Sequence, residues 1–279
     1  MLESNKENIN PQKPHHKEPQ QTTSLFLDLY SNNIFNYLQK LESRYKVNPN
    51  YLTQKLHIND KMRAIVVDWM TEVHFKFNLM PETLFLGVNL LDRHLENSET
   101  PRNKLQLVGV VALELACKFE EVLAPQISDF IYISDKACTR EQILQMELEL
   151  LKTTSYNLSV PTCYCFLQRY SRLQGITKKG FYLGCYLLEL SLIETKMLKY
   201  SPSELAGGAL FLSNKIFGND PWPCVLLRHT PYNTDCLKKC ARELCILLTK
   251  SKKSKFQAAR NKYKQDNYYS VAKIKVFFR

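Results

Sequence analysis

Charged side chains that interrupt apolar helix faces are where this sequence could do chemistry with another molecule. In TREQILQMELELLKTT (139–154), Ile143, Leu144, Met146, Leu148, Leu150 and Leu151 form an apolar face and Gln142, Gln145 and Glu149 a polar one, and Glu147 falls in the middle of the apolar side. A buried carboxylate needs a cation or several hydrogen-bond donors. Lys118, at the end of an apolar stretch, is the cation placed to meet it, and Glu120 and Glu121 follow it against the negative end of a helix dipole. A lysine, a glutamate and two poorly placed acids point to a polar site for a second chain. The alternative is an internal ion pair that only fixes helix packing.

A second constellation lies in DKMRAIVVDWMTEVHFKFN (60–78). At about 100° per residue, Met62, Ile65, Val66, Val67, Trp69, Met70, Val73 and Phe77 cover an apolar arc of roughly 200°, while Asp68, Glu72 and Lys76 line a strip four residues apart. That arc is wider than one neighbour needs. The edge formed by Met62, Ile65 and Trp69 beside Glu72 suits a peptide carrying a cation and a bulky apolar residue, and complete burial in the core is the other reading. Arg63 projects into the arc, where its charge requires a carboxylate, and Asp92 is the candidate.

Catalytic patterns are missing. There is no GxxxxGK[ST], no GxGxxG after a strand, no HExxH, no GxSxG and no HRD loop, which argues against an enzyme. The six histidines are scattered, and His74 and His94 read as helix-surface residues. Nine cysteines include no CxxC, and most sit in helical periods among aliphatic residues, as reduced core cysteines do. Cys236 and Cys240 are one helical turn apart, but no nearby pair completes a tetrahedral set, so no metal and no cofactor is expected.

The elements that must position these residues are helices. Only 8 glycines and recurrent leucine periodicity imply an all-α fold. Ser24 caps a first helix, which ends before Asn48-Pro49-Asn50; Pro81 opens another that runs to about Leu95. The stretch from Arg102 to Glu121 is apolar on every azimuth, as a central helix must be. Pro125 starts a short helix and Thr139 caps the next. The pattern then repeats. LGVNLLD (86–92) returns as LGCYLLE (183–189) and QLVGVVALELACKF (106–119) as ELAGGALFLSNKIF (204–217), with Gly109 and Gly207 aligned. Helices of the second unit are expected near 161–174, 177–197, 202–217, 222–230 and 234–250, with Ile216 at the Lys118 position. The organisation read from this is a disordered tail over 1–23, a helix and linker over 24–60, five-helix units over 61–157 and 158–251, and a basic tail over 252–279.

The net charge of +11 is concentrated at one end. Residues 250–279 hold ten Lys/Arg and one acid, leaving +2 for the other 249 residues. A terminal basic run reads as a solvated tail or a nuclear-import cluster around KSKKSK (250–255), not as a DNA-reading surface. No apolar run approaches the roughly 20 residues of a membrane span, and the polar N-terminus lacks a secretory signal's apolar stretch, so no membrane partner and an intracellular location are expected.

With MRAIVVDW, the duplication and the Lys118/Glu147 pair in place, the chain resembles a cyclin of the mitotic group, B-type more than A-type, over about residues 25–270. The supporting stretches are MRAIVVDWMTEVHFKFNLMPETL (62–84), KLQLVGVVALELACKFEE (104–121), TREQILQME (139–147) and LIETKMLKYSPSELA (193–206). The resemblance implies two tandem five-helix cyclin boxes and a regulatory subunit that binds and activates a cyclin-dependent protein kinase at the G2/M transition, in nucleus and cytoplasm. Lys118, Phe119, Glu120, Glu121, Glu147, Leu151 and Leu158 match its kinase-binding surface. Met62, Ile65, Trp69, Glu72, Arg102, Leu105 and Gln106 match the docking patch for RxL substrates and inhibitors, and Arg63 with Asp92 the ion pair that braces the first box. Lys6-Glu7-Asn8 is a KEN triplet, the degradation signal read by a ubiquitin ligase of the anaphase-promoting type. Two departures are that position 66 is Val where the family usually has Leu, and that no RxxL destruction box precedes the boxes. A DNA-bound transcription factor with the same duplicated fold is the rival; it usually carries an N-terminal zinc ribbon, and this chain has no cysteine before Cys117.

Overall fold

The computed structural model describes residues 21–274, with side chains from Tyr30 onward. The KEN triplet and most of the tail read as disordered lie outside these residues. Among the described residues there is no β-strand. The α-helices are α1 (Gln21–Glu42), α2 (Asp60–Lys76), α3 (Pro81–Asn97), α4 (Leu105–Glu120), α5 (Ile127–Ile133), α6 (Arg140–Thr153), α7 (Cys163–Gln174), α8 (Lys178–Leu192), α9 (Pro202–Ile216), α10 (Cys224–His229), α11 (Thr234–Ser251) and α12 (Ala258–Tyr263).

Local sequence explains most boundaries. Asn59, Thr139, Thr162, Thr177, Ser201 and Asn233 cap helices by accepting a backbone N–H, and Thr139 forms a reciprocal box with Gln142. Pro81 and Pro202 stand in first turns, where a missing N–H costs nothing, and Gly175 ends α7 at φ 68°. Some expected starts move. Ser24 lies inside α1, Arg102–Lys104 form a separate 3-10 turn, and α5 begins at Ile127, two residues after Pro125.

Helices α2–α6 and α7–α11 each wrap a core around one helix, α4 in the first repeat and α9 in the second. From Val108 to Cys117 every α4 side chain is buried, as its all-round apolar sequence requires. The aligned glycines serve different contacts. A Cβ on Gly109 would meet Val66 at 2.5 Å, whereas one on Gly207 would meet Leu237 of α11 at 2.9 Å.

Three segments tie the repeats together. Although α1 precedes the first repeat, it packs on the second: Phe35 lies 6.0 Å from Phe166, and the Glu42 carboxylate accepts the Ser203 N–H (2.9 Å) and hydroxyl (2.6 Å) at the start of α9. Phe85 of α3 stacks on Tyr164 of α7 at 6.2 Å.

The third tie corrects the expectation of a solvated basic tail over 252–279. Residues 258–272 fold back onto α2 and α8. Ala258 donates its N–H to Asp68 of α2 (3.0 Å), Tyr268 meets Phe75 and Tyr182, and Tyr263, Val271 and Ala272 are buried. Lys262 is buried too and hydrogen-bonds Glu189 of α8, which also accepts from the Tyr263 hydroxyl (2.8 Å). Aromatic residues placed between the lysines supply the buried area that a tail of charge alone would lack.

Candidate protein-binding surfaces

Lys118 and Glu147 are brought together by the packing of α4 against α6. The Lys118 Nζ lies 2.6 Å from Glu147 Oε1 and 2.7 Å from Glu114 Oε1, one turn back on its own helix. The lysine side chain is 42% exposed and that of Glu147 is 16% exposed, so the pair opens to solvent at the lysine. Burial works against the Lys118 charge, yet the hydrogen bonds to Glu114 and Glu147 outweigh it and hold the ammonium above the ordinary lysine range. Burial pushes the Glu114 carboxyl up, and its second oxygen is buried without a partner. Sequence reasoning missed Glu114; its place four residues before Lys118 on a buried face was the available signal.

Apolar side chains surround this pair. Val122 and Leu123, just past the end of α4, are 99% and 89% exposed, and Phe119, Leu144 and Leu148 are exposed as well. Leu151 and Leu158 are half-buried against the first core. The apolar face of α6 is therefore divided: Ile143, Met146 and Leu150 enter the core, while Leu144 and Leu148 stand outside with Glu147 between the two sets. Exposed apolar side chains next in sequence to both members of a charge pair suit a contact surface.

The two acids after Lys118 differ. Glu120 is half-buried, and burial together with Glu82 and Glu121 raises its pKa. Glu121 is not the unsatisfied acid that its sequence position implied, because its Oε1 accepts the Met80 N–H (2.7 Å) and the Thr83 hydroxyl (2.5 Å). It caps the start of α3, which removes that oxygen from any outside partner.

On α2, Val66, Val67, Met70 and Val73 are buried, whereas Ile65 is 60% exposed and Met62 and Trp69 are half-buried. The wide arc thus divides into a core face and an open edge. Leu105 lies buried at the start of α4, and Arg102 and Gln106 are exposed there. Glu72 is exposed beside Lys76 at 3.2 Å, and Asp68 is turned to the α12 backbone, leaving Glu72 as the accessible acid of the strip.

Arg63 is almost fully buried and grips Asp92 with two bonds of 2.6 Å, Nε to Oδ1 and a terminal nitrogen to Oδ2. The Tyr51 hydroxyl donates to Asp92 Oδ1 (2.8 Å), and the remaining guanidinium nitrogen donates to the Leu192 carbonyl (2.7 Å) and the Ile193 carbonyl (3.3 Å). The cluster therefore reaches beyond the first repeat to the end of α8. Through those carbonyls the pair also joins the first repeat to the second.

The histidines also differ from expectation. His74 and His94 are buried, with ring nitrogens facing the Met80 carbonyl (3.0 Å) and the Thr153 hydroxyl (2.9 Å). Burial lowers both pKa values, that of His74 to about 3. The helix period carries the signal: His74 falls between Val67 and Met70 on α2, eleven residues after Arg63, and His94 between Leu90 and Leu91 on α3. Among the described residues no three His, Cys, Asp or Glu side chains are grouped to hold a metal, and no helix is long and apolar enough to cross a membrane.

Comparison with known proteins places this geometry. Residues 33–159 match the cyclin N-terminal domain and residues 161–276 the cyclin C-terminal domain. G2/mitotic-specific cyclin-1 of Medicago sativa subsp. varia is 43% identical over 245 residues, 88% of this chain and 57% of that protein. G2/mitotic-specific cyclin-2 of Medicago sativa is 41% identical over 251 residues, 90% of this chain and 76% of that protein. The chain spans 57% to 63% of the length of the first curated relatives that it matches. Among solved structures, a viral cyclin from herpesvirus saimiri superposes with a TM-score of 0.67 at 18% identity, over 76% of this chain and 96% of the other, a likeness of fold. Two matched domains in tandem, and relatives that are 39–43% identical over 88% of the sequence, make this chain a member of the cyclin family, in its mitotic group.

Proposed function

We propose that this chain is a regulatory subunit, without catalysis of its own, that binds and activates a cyclin-dependent protein kinase at the G2/M transition. The observation that supports this most directly is the Lys118–Glu147 pair, open at the lysine and bordered by exposed Phe119, Val122, Leu123 and Leu148. An internal pair made only to fix packing would not need that margin. Glu120, Leu151 and Leu158 complete the surface, with Glu121 behind it as a positioning residue. Glu114 holds Lys118, and Glu121 joins the end of α4 to the start of α3, so the charged part of the surface is formed before any partner arrives, which lowers the ordering cost of association.

Activation follows from linkage. A kinase whose mobile helix exchanges between active and inactive positions is shifted only by a partner that binds the active one better, and moving it from 1:99 to 99:1 takes about 5.5 kcal/mol of differential affinity. The charge pair and the apolar margin together could supply it, aligning the kinase's own lysine and glutamate for phosphoryl transfer.

The test is binding and histone-kinase stimulation with Lys118→Ala and Glu147→Ala. Both should lose kinase binding with circular dichroism unchanged; Glu147→Ala should melt as the wild type does, and Lys118→Ala, which leaves the buried Glu114 without its cation, should melt lower but still fold cooperatively. Variants that simply unfold, or that bind normally, would sink the assignment.

The open edge of α2 supports a second surface of the same protein. Met62, Ile65 and Trp69 would take the apolar residue of an RxL motif and Glu72 its arginine, with Arg102 and Gln106 at the rim and Leu105 in the floor. Degradation through Lys6-Glu7-Asn8 and nuclear entry through the exposed lysines at 250–255 complete the proposal.

A further inference from the structure

We infer that the cleft where residues 44–46 cross the first repeat is a binding site for an oxyanion of the phosphate class. The cleft encloses about 370 Å³ and is lined by Arg44, Lys46, Arg93, Glu96 and Ser155, among others. Its distinguishing residue is Arg93, which is only 9% exposed. Its two terminal nitrogens donate to the carbonyls of Asn157 (2.8 Å) and Thr154 (2.8 Å), and its guanidinium lies 4.9 Å over the Tyr45 ring.

Carbonyls and a ring satisfy donors but bring no negative charge. Among the described residues no carboxylate pairs with Arg93. Arg63 provides the contrast within the same repeat, being more deeply buried and held by both oxygens of Asp92. A buried cation with no counter-ion is costly, and a guanidinium fork has five N–H donors, so those that the two carbonyls leave over can still meet phosphate oxygens.

Two further cations, the exposed Arg44 and Lys46, stand at the mouth. The acid in the lining is Glu96, and its Oε1 already accepts the Asn48 N–H at 2.9 Å. The lining thus holds three cations and one carboxylate, and Lys46 also faces Glu42 and Glu204 on its other side. Ser155, held in the left-handed region at φ 53°, brings a hydroxyl to the same cleft. Positive charge exceeds negative in the lining, and the space admits a tetrahedral anion with its water.

The anion could arrive free or on a phosphorylated side chain, and the experiment separates the two. Titrating the full chain with inorganic phosphate should give a saturable calorimetric signal and shift the amide resonances of Arg93, Thr154 and Asn157. An Arg44→Gln/Lys46→Gln double variant, which alters exposed side chains alone, should bind about tenfold more weakly or worse, as expected on losing charged hydrogen bonds. Arg93→Lys, which keeps the charge but loses the fork, should weaken binding with circular dichroism unchanged. Tighter binding of O-phosphoserine than of inorganic phosphate identifies a phosphorylated residue as the source, and the reverse order identifies the free anion. Failure of both to saturate, or equal binding by the wild type and the double variant, would overturn the proposal.

Discussion

The two repeats bury an acid at the same aligned position and neutralise it by different routes. Asp92 ends LLD on α3, and Glu189 ends LLE on α8. Each receives a cation and a tyrosine hydroxyl: Arg63 and Tyr51 for Asp92, Lys262 and Tyr263 for Glu189. The first cation comes from the neighbouring helix and the second from the segment beyond the second repeat. The aspartate has both oxygens bonded, while one oxygen of the glutamate is buried without a partner. The lesson is that duplication carried over a requirement, a buried acid with a cation and a hydroxyl, while leaving its solution to whichever segment lay nearest. On the outside the repeats diverge further. Where the first presents Lys118, the second has the half-buried Ile216, and Glu243 is taken up by Lys199 at 2.6 Å and the Tyr200 hydroxyl at 3.0 Å.

Removing the first cation should have the largest effect. Arg63→Ala leaves Asp92 buried with a tyrosine alone, so chemical denaturation should register a loss of about 3–5 kcal/mol. A loss below about 1 kcal/mol would mean that water reaches the aspartate and that the two clusters are not equivalent in burial. Lys262→Met should cost somewhat less, about 2–4 kcal/mol, because the aliphatic chain still fills its space and Tyr263 still donates to Glu189. If Lys262→Met proves the costlier change, the C-terminal segment rather than the first repeat limits stability.

Acid tests the same contrast from the other side. Burial, with the nearby Lys262, lowers the His74 pKa to about 3, against about 6.5 in the unfolded chain. Between those values the unfolded chain binds more protons, so stability is complete above about pH 6.5 and falls as the pH drops, by up to about 1.4 kcal/mol per unit. Melting temperatures measured from pH 7 to pH 5 should decline, and His74→Gln should flatten the decline. An unchanged slope in that variant would assign the effect to His94 or to the carboxylates. The smallest effect belongs to the open edge of α2. Ile65→Ser should change stability by less than about 0.5 kcal/mol, since Ile65 packs on little, and a calorimetric scan showing more would place it in the core.

Much of this arrangement was legible in the chain. Helix positions, the duplication, the Arg63–Asp92 pair and the meeting of Lys118 with Glu147 all follow from charges set against helical periodicity, because a misplaced charge can be located to a face and its partner sought on another. What could not be read depended on which segments meet in space. Glu121 looked unsatisfied until the start of α3 was placed beside it. His74 and His94 fall on apolar azimuths of their own helices, so their burial was legible in the period, but the Met80 carbonyl and the Thr153 hydroxyl that meet their rings were not. Lys262 resembled nine other basic residues near the end of the chain, and its burial turns on Tyr263 and Tyr268 finding α8 and α2. The alignment of LLD with LLE did hold a clue, since a second buried acid demands a second cation.

The back-folded segment has a consequence for how the molecule is made. Asp68 receives its backbone partner from a residue 190 positions later, and the Arg63 guanidinium waits for carbonyls 129 and 130 positions away. During synthesis the front helices can collapse around α4 early, yet Arg63 stays under-bonded until residues 192 and 193 have emerged, and Asp68 lacks its backbone partner until residue 258 has left the ribosome. A nascent chain stalled before that point should remain sensitive to protease along α2, and its docking edge would become dependable only after translation has passed the second repeat.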